Sequence, residues 1–186
     1  MKSFSNSPHN NLRSGRSHTF PFLHSLFKYL TLASDGANRA TEWSLFILGI
    51  TMAFVTALQV FFRYVLNHSL FWSEELGRSL LVWITFLGAS VAYKRKAHIG
   101  IDYFVCRLKG KFLYLTRIFT ISISVFFFSI MIIYGVKFTS FIRFQKTAAL
   151  GISKSVPFFV IPFSGSLLLL HALALLLETI LYQSEQ

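Results

Sequence analysis

Four long stretches of this chain contain no Asp, Glu, Lys or Arg: residues 43–62, 79–93, 118–136 and 155–177. A helix that crosses roughly 30 Å of hydrocarbon needs about 20 apolar residues. Lipid offers the backbone no hydrogen-bond partner, so each crossing segment must satisfy its own N–H and C=O groups as a helix. The first and third stretches meet that length outright. The fourth carries Pro157 near its start and Pro162 a turn and a half further on, where a missing backbone donor predicts a bend. The second is short, and its helix must extend back through Arg78, Glu75 and Glu74. Ser73 is its expected cap, the two acids suit the positive end of the helix dipole, and Lys94, Arg95 and Lys96 suit the negative end. The sequence thus reads as an all-α integral membrane protein with spans at about residues 43–65, 74–94, 114–138 and 156–180, a four-helix domain over 41–182.

Composition agrees with a lipid solvent. Only 13% of the 186 residues are charged and 54% are hydrophobic, too little polar surface for a soluble globule of this size. The net charge of +11 in a soluble protein points to nucleic acid, but here the basic residues sit between apolar runs, a pattern of membrane orientation and anionic lipid contact. Five Lys and Arg precede the first span and seven lie between spans two and three, twelve on one side. The other two connections hold six: Arg63, Arg78, Lys137, Arg143, Lys146 and Lys154. The positive-inside rule places the twelve, and both termini, in the cytoplasm.

Residues 1–19 are polar and rich in Ser and Asn, an expected disordered tail and not a cleaved signal peptide. In residues 20–40, Phe22, Leu23, Leu26, Phe27 and Leu30 recur at helical spacing, with Thr19 and Pro21 as a start signal and Asp35-Gly36 as a stop. This predicts an amphipathic helix in the cytoplasmic interface, or one packed on a partner subunit.

The most informative polar stretch is residues 63–78. Glu74 and Glu75 stand four and three residues before Arg78, so on a helix either carboxylate can reach the guanidinium. Pairing lowers a cost on the order of 2.5–3.5 kcal/mol for an unpaired charge at the bilayer centre, less at the boundary. One reading is a solvated helix start with Tyr64 and Trp72 in the aromatic belt. The other is a polar contact surface for another membrane subunit, with Arg63 joining it. Arg63, Tyr64, Asn67, Trp72, Glu74, Glu75 and Arg78 are the interface candidates.

No constellation for catalysis, metal or cofactor binding emerges. Cys106 is the single cysteine, so no disulfide pair exists within the chain. His98 and Asp102 share a helical face but lack the further ligands of a stable metal site. His171 lies within the fourth span without a second intramembrane His to ligate haem, so a neutral ring hydrogen-bonded between helices is expected. Phe126, Phe127 and Phe128 are expected to face lipid, and Gly151 permits a tight turn before the last span.

These patches, in this order, resemble the small (Q-type, DctQ) permease subunits of TRAP (tripartite ATP-independent periplasmic) transporters over residues 43–178. The match is carried by Arg63, Tyr64, Asn67, Ser69, Leu70, Trp72, Glu74, Glu75 and Arg78, then Trp83, Phe86-Leu87-Gly88-Ala89, His98-Ile99, Asp102, residues 149–152 and Pro162. It departs at Ser153, where the family often has Pro, and at Phe159, near which the family has Tyr. The resemblance implies a non-enzymatic scaffold subunit in the bacterial inner membrane. It implies pairing with a large multi-span permease and a periplasmic substrate-binding protein, for ion-coupled, typically sodium-coupled, uptake of organic acids such as C4-dicarboxylates or sialic acid. The alternative is an independent homo-oligomeric four-helix channel or exporter.

Overall fold

The computed structural model describes residues 21–95 and 111–183. The tail over 1–19, His98, Asp102 and Cys106 lie outside them. Helix α1 runs Pro21–Tyr64, α2 Phe71–Lys94 and α3 Lys111–Phe141; a 3-10 turn, Ile142–Phe144, follows. The chain then enters a single helical turn, α4 (Ser155–Phe158), and the last long helix, α5 (Val160–Gln183). Four helical segments are long and apolar enough to cross a membrane, as expected: Phe27–Tyr64, Phe71–Lys94, Tyr114–Phe144 and Ser155–Ile180.

Hydroxyls in these segments are handled locally. Thr31, Thr41, Ser44, Thr51, Thr56, Ser79, Thr85 and others donate to the carbonyl four residues back, so the polar atoms need no water.

The stop expected at Asp35-Gly36 is absent, and α1 is one unbroken helix of 44 residues. A lone glycine costs a helix only about 1 kcal/mol, and Ala33, Ala37 and Ala40 around it favour helix. Asp35 does not cap; its carboxylate pairs with Lys94 of α2. The separate interfacial helix expected over residues 20–40 is therefore not seen as such: from Pro21 on, that segment is continuous with the first span. Ser73 is likewise not the cap of α2. The helix begins at Phe71 with Leu70 as N-cap, and the Ser73 hydroxyl, fully buried, donates back to Leu70 O at 2.7 Å.

Helix α5 is the centre of the bundle: α3 packs on it most extensively, and α1 and α2 also lie against it. Two glycines make the α3–α5 contact close. A Cβ at Gly135 would stand 3.1 Å from Ile161 Cγ2 and 3.2 Å from Pro162 Cδ, and one at Gly165 3.0 Å from both Ile132 Cγ1 and Met131 Cε. Small residues at such crossings let backbones approach and gain dispersion contact, which is the main attraction between helices in lipid. The interruption near Pro162 falls at Phe159, between α4 and α5. Pro162 has no N–H for Phe158 O, the partner an unbroken helix would require.

Phe126 and Phe127 are exposed, but Phe128 is not. It packs with Leu168 and Ala172 of α5 and meets the Tyr93 ring edge-on at 5.2 Å. A helix rotates about 100° per residue, so three successive positions cannot all face outward beside a tightly packed neighbour.

Candidate partner interface

The α1–α2 and α3–α4 connections share one end of the bundle, here the hairpin end. Helix α1 stops there because Asn67 adopts a left-handed conformation, φ 50°, which asparagine tolerates better than most residues. His68 N–H then reaches back to Phe62 O at 3.0 Å. This is a physical reason for Asn at that point of the motif.

The connection 142–154 folds as a small antiparallel turn. Thr147 N–H donates to Ile152 O at 2.8 Å, Lys154 N–H to Gln145 O at 2.9 Å, and Gly151 takes the left-handed conformation, φ +66°. The turn is fixed to α2 by Glu75. One oxygen of its carboxylate, Oε2, accepts from Ala149 N–H at 2.8 Å and from Leu150 N–H at 3.0 Å. Successive backbone N–H groups aimed at one point form an anion-binding concavity, filled here by the protein's own carboxylate.

Glu75 therefore does not pair with Arg78. That role falls to Glu74, whose Oε2 lies 4.0 Å from the Arg78 guanidinium with the two side chains 55% and 83% exposed. An exposed pair of this geometry contributes little. Arg63 lies 6.0 Å from the Tyr64 ring and makes no ion pair among the described residues. Tyr64, Asn67 and Trp72 are exposed as well. The structure thus separates the candidates. Glu75 is spent on internal fastening, whereas Arg63, Tyr64, Asn67, Trp72, Glu74 and Arg78 present themselves outward from one end of the bundle.

At the opposite, terminal end, a second polar network appears that sequence reading did not assemble. Lys94 donates to the Ser34 hydroxyl at 2.7 Å and to Asp35. Ser34 Oγ lies 2.8 Å from His171 Nδ1, so His171 is hydrogen-bonded between helices, as expected. Ser34 Oγ and His171 Nδ1 share one hydrogen, and which of the two donates it follows from the tautomer of the ring. Nε2 is buried without a hydrogen-bond partner among the described residues. Beside this chain, Arg95 forms a hydrogen-bonded ion pair with Glu42 at 2.7 Å, and Asn38 donates to the same carboxylate at 2.8 Å. The contacts join residues 53 to 137 positions apart, and only the helical spacing of Asn38 and Glu42 was visible locally. No group of three or more His, Cys, Asp or Glu among the described residues could hold a metal.

Comparison with known proteins decides the family. The family model described as "Tripartite ATP-independent periplasmic transporters, DctQ component" matches residues 52–181, most of the chain. This chain is a member of the DctQ family. Among the relatives of this DctQ protein is the sialic acid TRAP transporter small permease protein SiaQ of Vibrio cholerae, 30% identical over 112 residues, 60% of this chain and 64% of that one. The sialic acid TRAP transporter permease protein SiaT of Haemophilus influenzae is 30% identical over 128 residues, 67% of this chain but 20% of that one. A putative TRAP transporter small permease protein, also from Haemophilus influenzae, is 31% identical over 71 residues, 38% of this chain and 44% of that one. The DctQ chain thus spans less than two thirds of each of these relatives. The matched region includes both the hairpin-end candidates and His171.

Proposed function

We propose that this chain is the small transmembrane scaffold subunit of a TRAP transporter. It pairs with a large permease subunit and works with a periplasmic substrate-binding protein in ion-coupled uptake of organic acids, of the C4-dicarboxylate or sialic acid type. It has no chemistry of its own. The observation that carries the reading is the family match over residues 52–181, which takes in the end of the first apolar helix and the other three, joined to where the ionisable groups of the described residues lie. Ionisable residues among the described helices gather at the two ends, with His171 as the inner exception, and its Nδ1 is taken by Ser34. A self-sufficient transporter would need interrupted helices and polar groups near mid-membrane. The interruption among the described spans, at Phe159, adjoins the hairpin end.

Two further features support a larger partner. In the Haemophilus permease SiaT, the matching segment is a fifth of one long chain. And α1 exposes Trp43, Phe46, Ile50 and Phe54 beside Gly49, Ala53 and Ala57, a surface on which another apolar helix can lie closely. By the positive-inside rule the terminal end is cytoplasmic in the inner membrane and the hairpin end periplasmic, where Arg63, Trp72, Glu74 and Arg78 face the other components. Affinity purification of the full chain in mild detergent tests this. Recovery of a much larger hydrophobic permease supports the reading, and recovery of the chain only with itself supports a homo-oligomeric channel instead. Reporter fusions after Lys109 and after Gln186 should both report the cytoplasm; a periplasmic signal at either overturns the orientation.

A further inference from the structure

Near the terminal end, a cavity of about 280 Å³ opens between α1, α2 and α5. Helix α2, 24 residues long, extends about 36 Å, slightly more than the roughly 30 Å hydrocarbon core. Lys94 is its last residue and lines the cavity, which therefore lies where hydrocarbon gives way to headgroups. The lining is of mixed sign. Lys94 brings a positive charge, and Asp35 and Glu178 bring negative ones, while Phe27, Ala174 and Leu175 form an apolar side.

Hydrogen-bonding capacity remains on both signs. Of its three N–H donors Lys94 uses two among the described residues, on Ser34 and Asp35. Asp35 accepts Lys94 on Oδ1 and is otherwise largely open to the surroundings, its side chain 65% exposed. A simple anion entering here would meet two carboxylates, and a simple cation would meet the ammonium. A ligand carrying a phosphate and a primary ammonium a few ångströms apart satisfies both, because each of its charges meets the opposite one at short range.

We propose that this cavity binds the headgroup of a zwitterionic aminophospholipid, with its phosphate on Lys94, its ammonium against Asp35, and the start of its acyl chains along Phe27 and Leu175. The primary amine is the discriminating group. A choline headgroup has the same charges but no N–H to donate, and a glycerol headgroup has no cation.

The test is native mass spectrometry of the full-length chain, alone and with any co-purified partner. It is titrated with lipids of identical acyl chains bearing ethanolamine, choline or glycerol headgroups. The ethanolamine lipid is expected to bind about tenfold more tightly than either of the others, the scale of one charge-assisted hydrogen bond. Ala174→Phe, which puts a ring into the cavity and leaves every charge in place, should abolish the preference, as should Asp35→Asn. The comparison of headgroups on the unaltered chain stands even if a variant folds poorly. Equal affinity for the three lipids overturns the proposal, and so does a folded Ala174→Phe protein that keeps the preference. Phosphoethanolamine without acyl chains binding as tightly as the lipid overturns the lipid as the source of the headgroup.

Discussion

Alanine at Gly135 and alanine at Gly165 should change stability to different extents, although both glycines lie at the same helix crossing. At Gly135 the added methyl would stand 3.2 Å from both the ring carbon Cδ and the backbone nitrogen of Pro162, and 3.1 Å from Ile161 Cγ2. Carbon atoms pack best at about 3.5–4.0 Å, and a proline ring has no rotamer by which to withdraw. Helices α3 and α5 must then separate by about 0.3–0.5 Å, and overpacking of this kind typically costs about 1–3 kcal/mol. Alanine's advantage in helix propensity, about 1 kcal/mol, returns part of it. At Gly165 the nearest atoms, at 3.0 Å, are Met131 Cε, the end of a flexible side chain, and Ile132 Cγ1, a branch of a stiffer one, with the backbone further off at 3.6 Å. Methionine turns aside easily, and the isoleucine branch must give by a few tenths of an ångström without the two helix backbones parting, so the propensity gain about offsets the cost. Gly135→Ala should therefore lower the thermal midpoint of the detergent-purified chain by about 2–4 °C, and Gly165→Ala should hold it. A Gly135→Ala protein as stable as the parent, with Gly165→Ala clearly weaker, would refute the view that rigidity of the neighbour decides the extent.

Glu75→Ala should speed hydrogen exchange at the Ala149 and Leu150 amides, whereas Glu74→Ala leaves them unchanged; equal rates in the two variants would remove the fastening role given to Glu75. Ser34→Ala deprives both Lys94 and His171 of a buried partner and should destabilise the chain by about 1–3 kcal/mol, read from thermal unfolding, and an unchanged midpoint would count against the network. Asn67→Gly should be tolerated, while Asn67→Val forces a β-branched residue to a positive φ at a cost of about 1–2 kcal/mol; equal midpoints for the two would deny the conformational reason for Asn67. If Arg63, Trp72 and Arg78 contact other transporter components, their joint replacement by alanine should reduce recovery of the large permease or substrate uptake, without lowering the midpoint of the isolated chain.

The four spans were legible because hydropathy acts on each segment separately and lipid leaves the backbone one solution. What was not legible came from distant partners. Asp35-Gly36 carries a local stop signal, but Asp35 meets Lys94 across 59 positions and the helix continues through. Glu75 looked matched to Arg78 three residues away, yet two backbone donors 74 and 75 positions on bind it instead. Phe128 differs from Phe126 and Phe127 only in facing α5. The outward candidates at the hairpin end were recognisable as a group from motif and charge. Their division into one internal fastener and several exposed residues required the fold.

The unbroken α1 carries a mechanical consequence. Its 44 residues make a rod about 66 Å long, roughly twice the depth of the hydrocarbon it crosses. No proline stands between its ends, where a kink would be expected, and the helix passes through Gly36 and Gly49 unbroken. The segment before Ser34 and the span after it thus share one axis, so a change in the tilt of the span turns that segment with it.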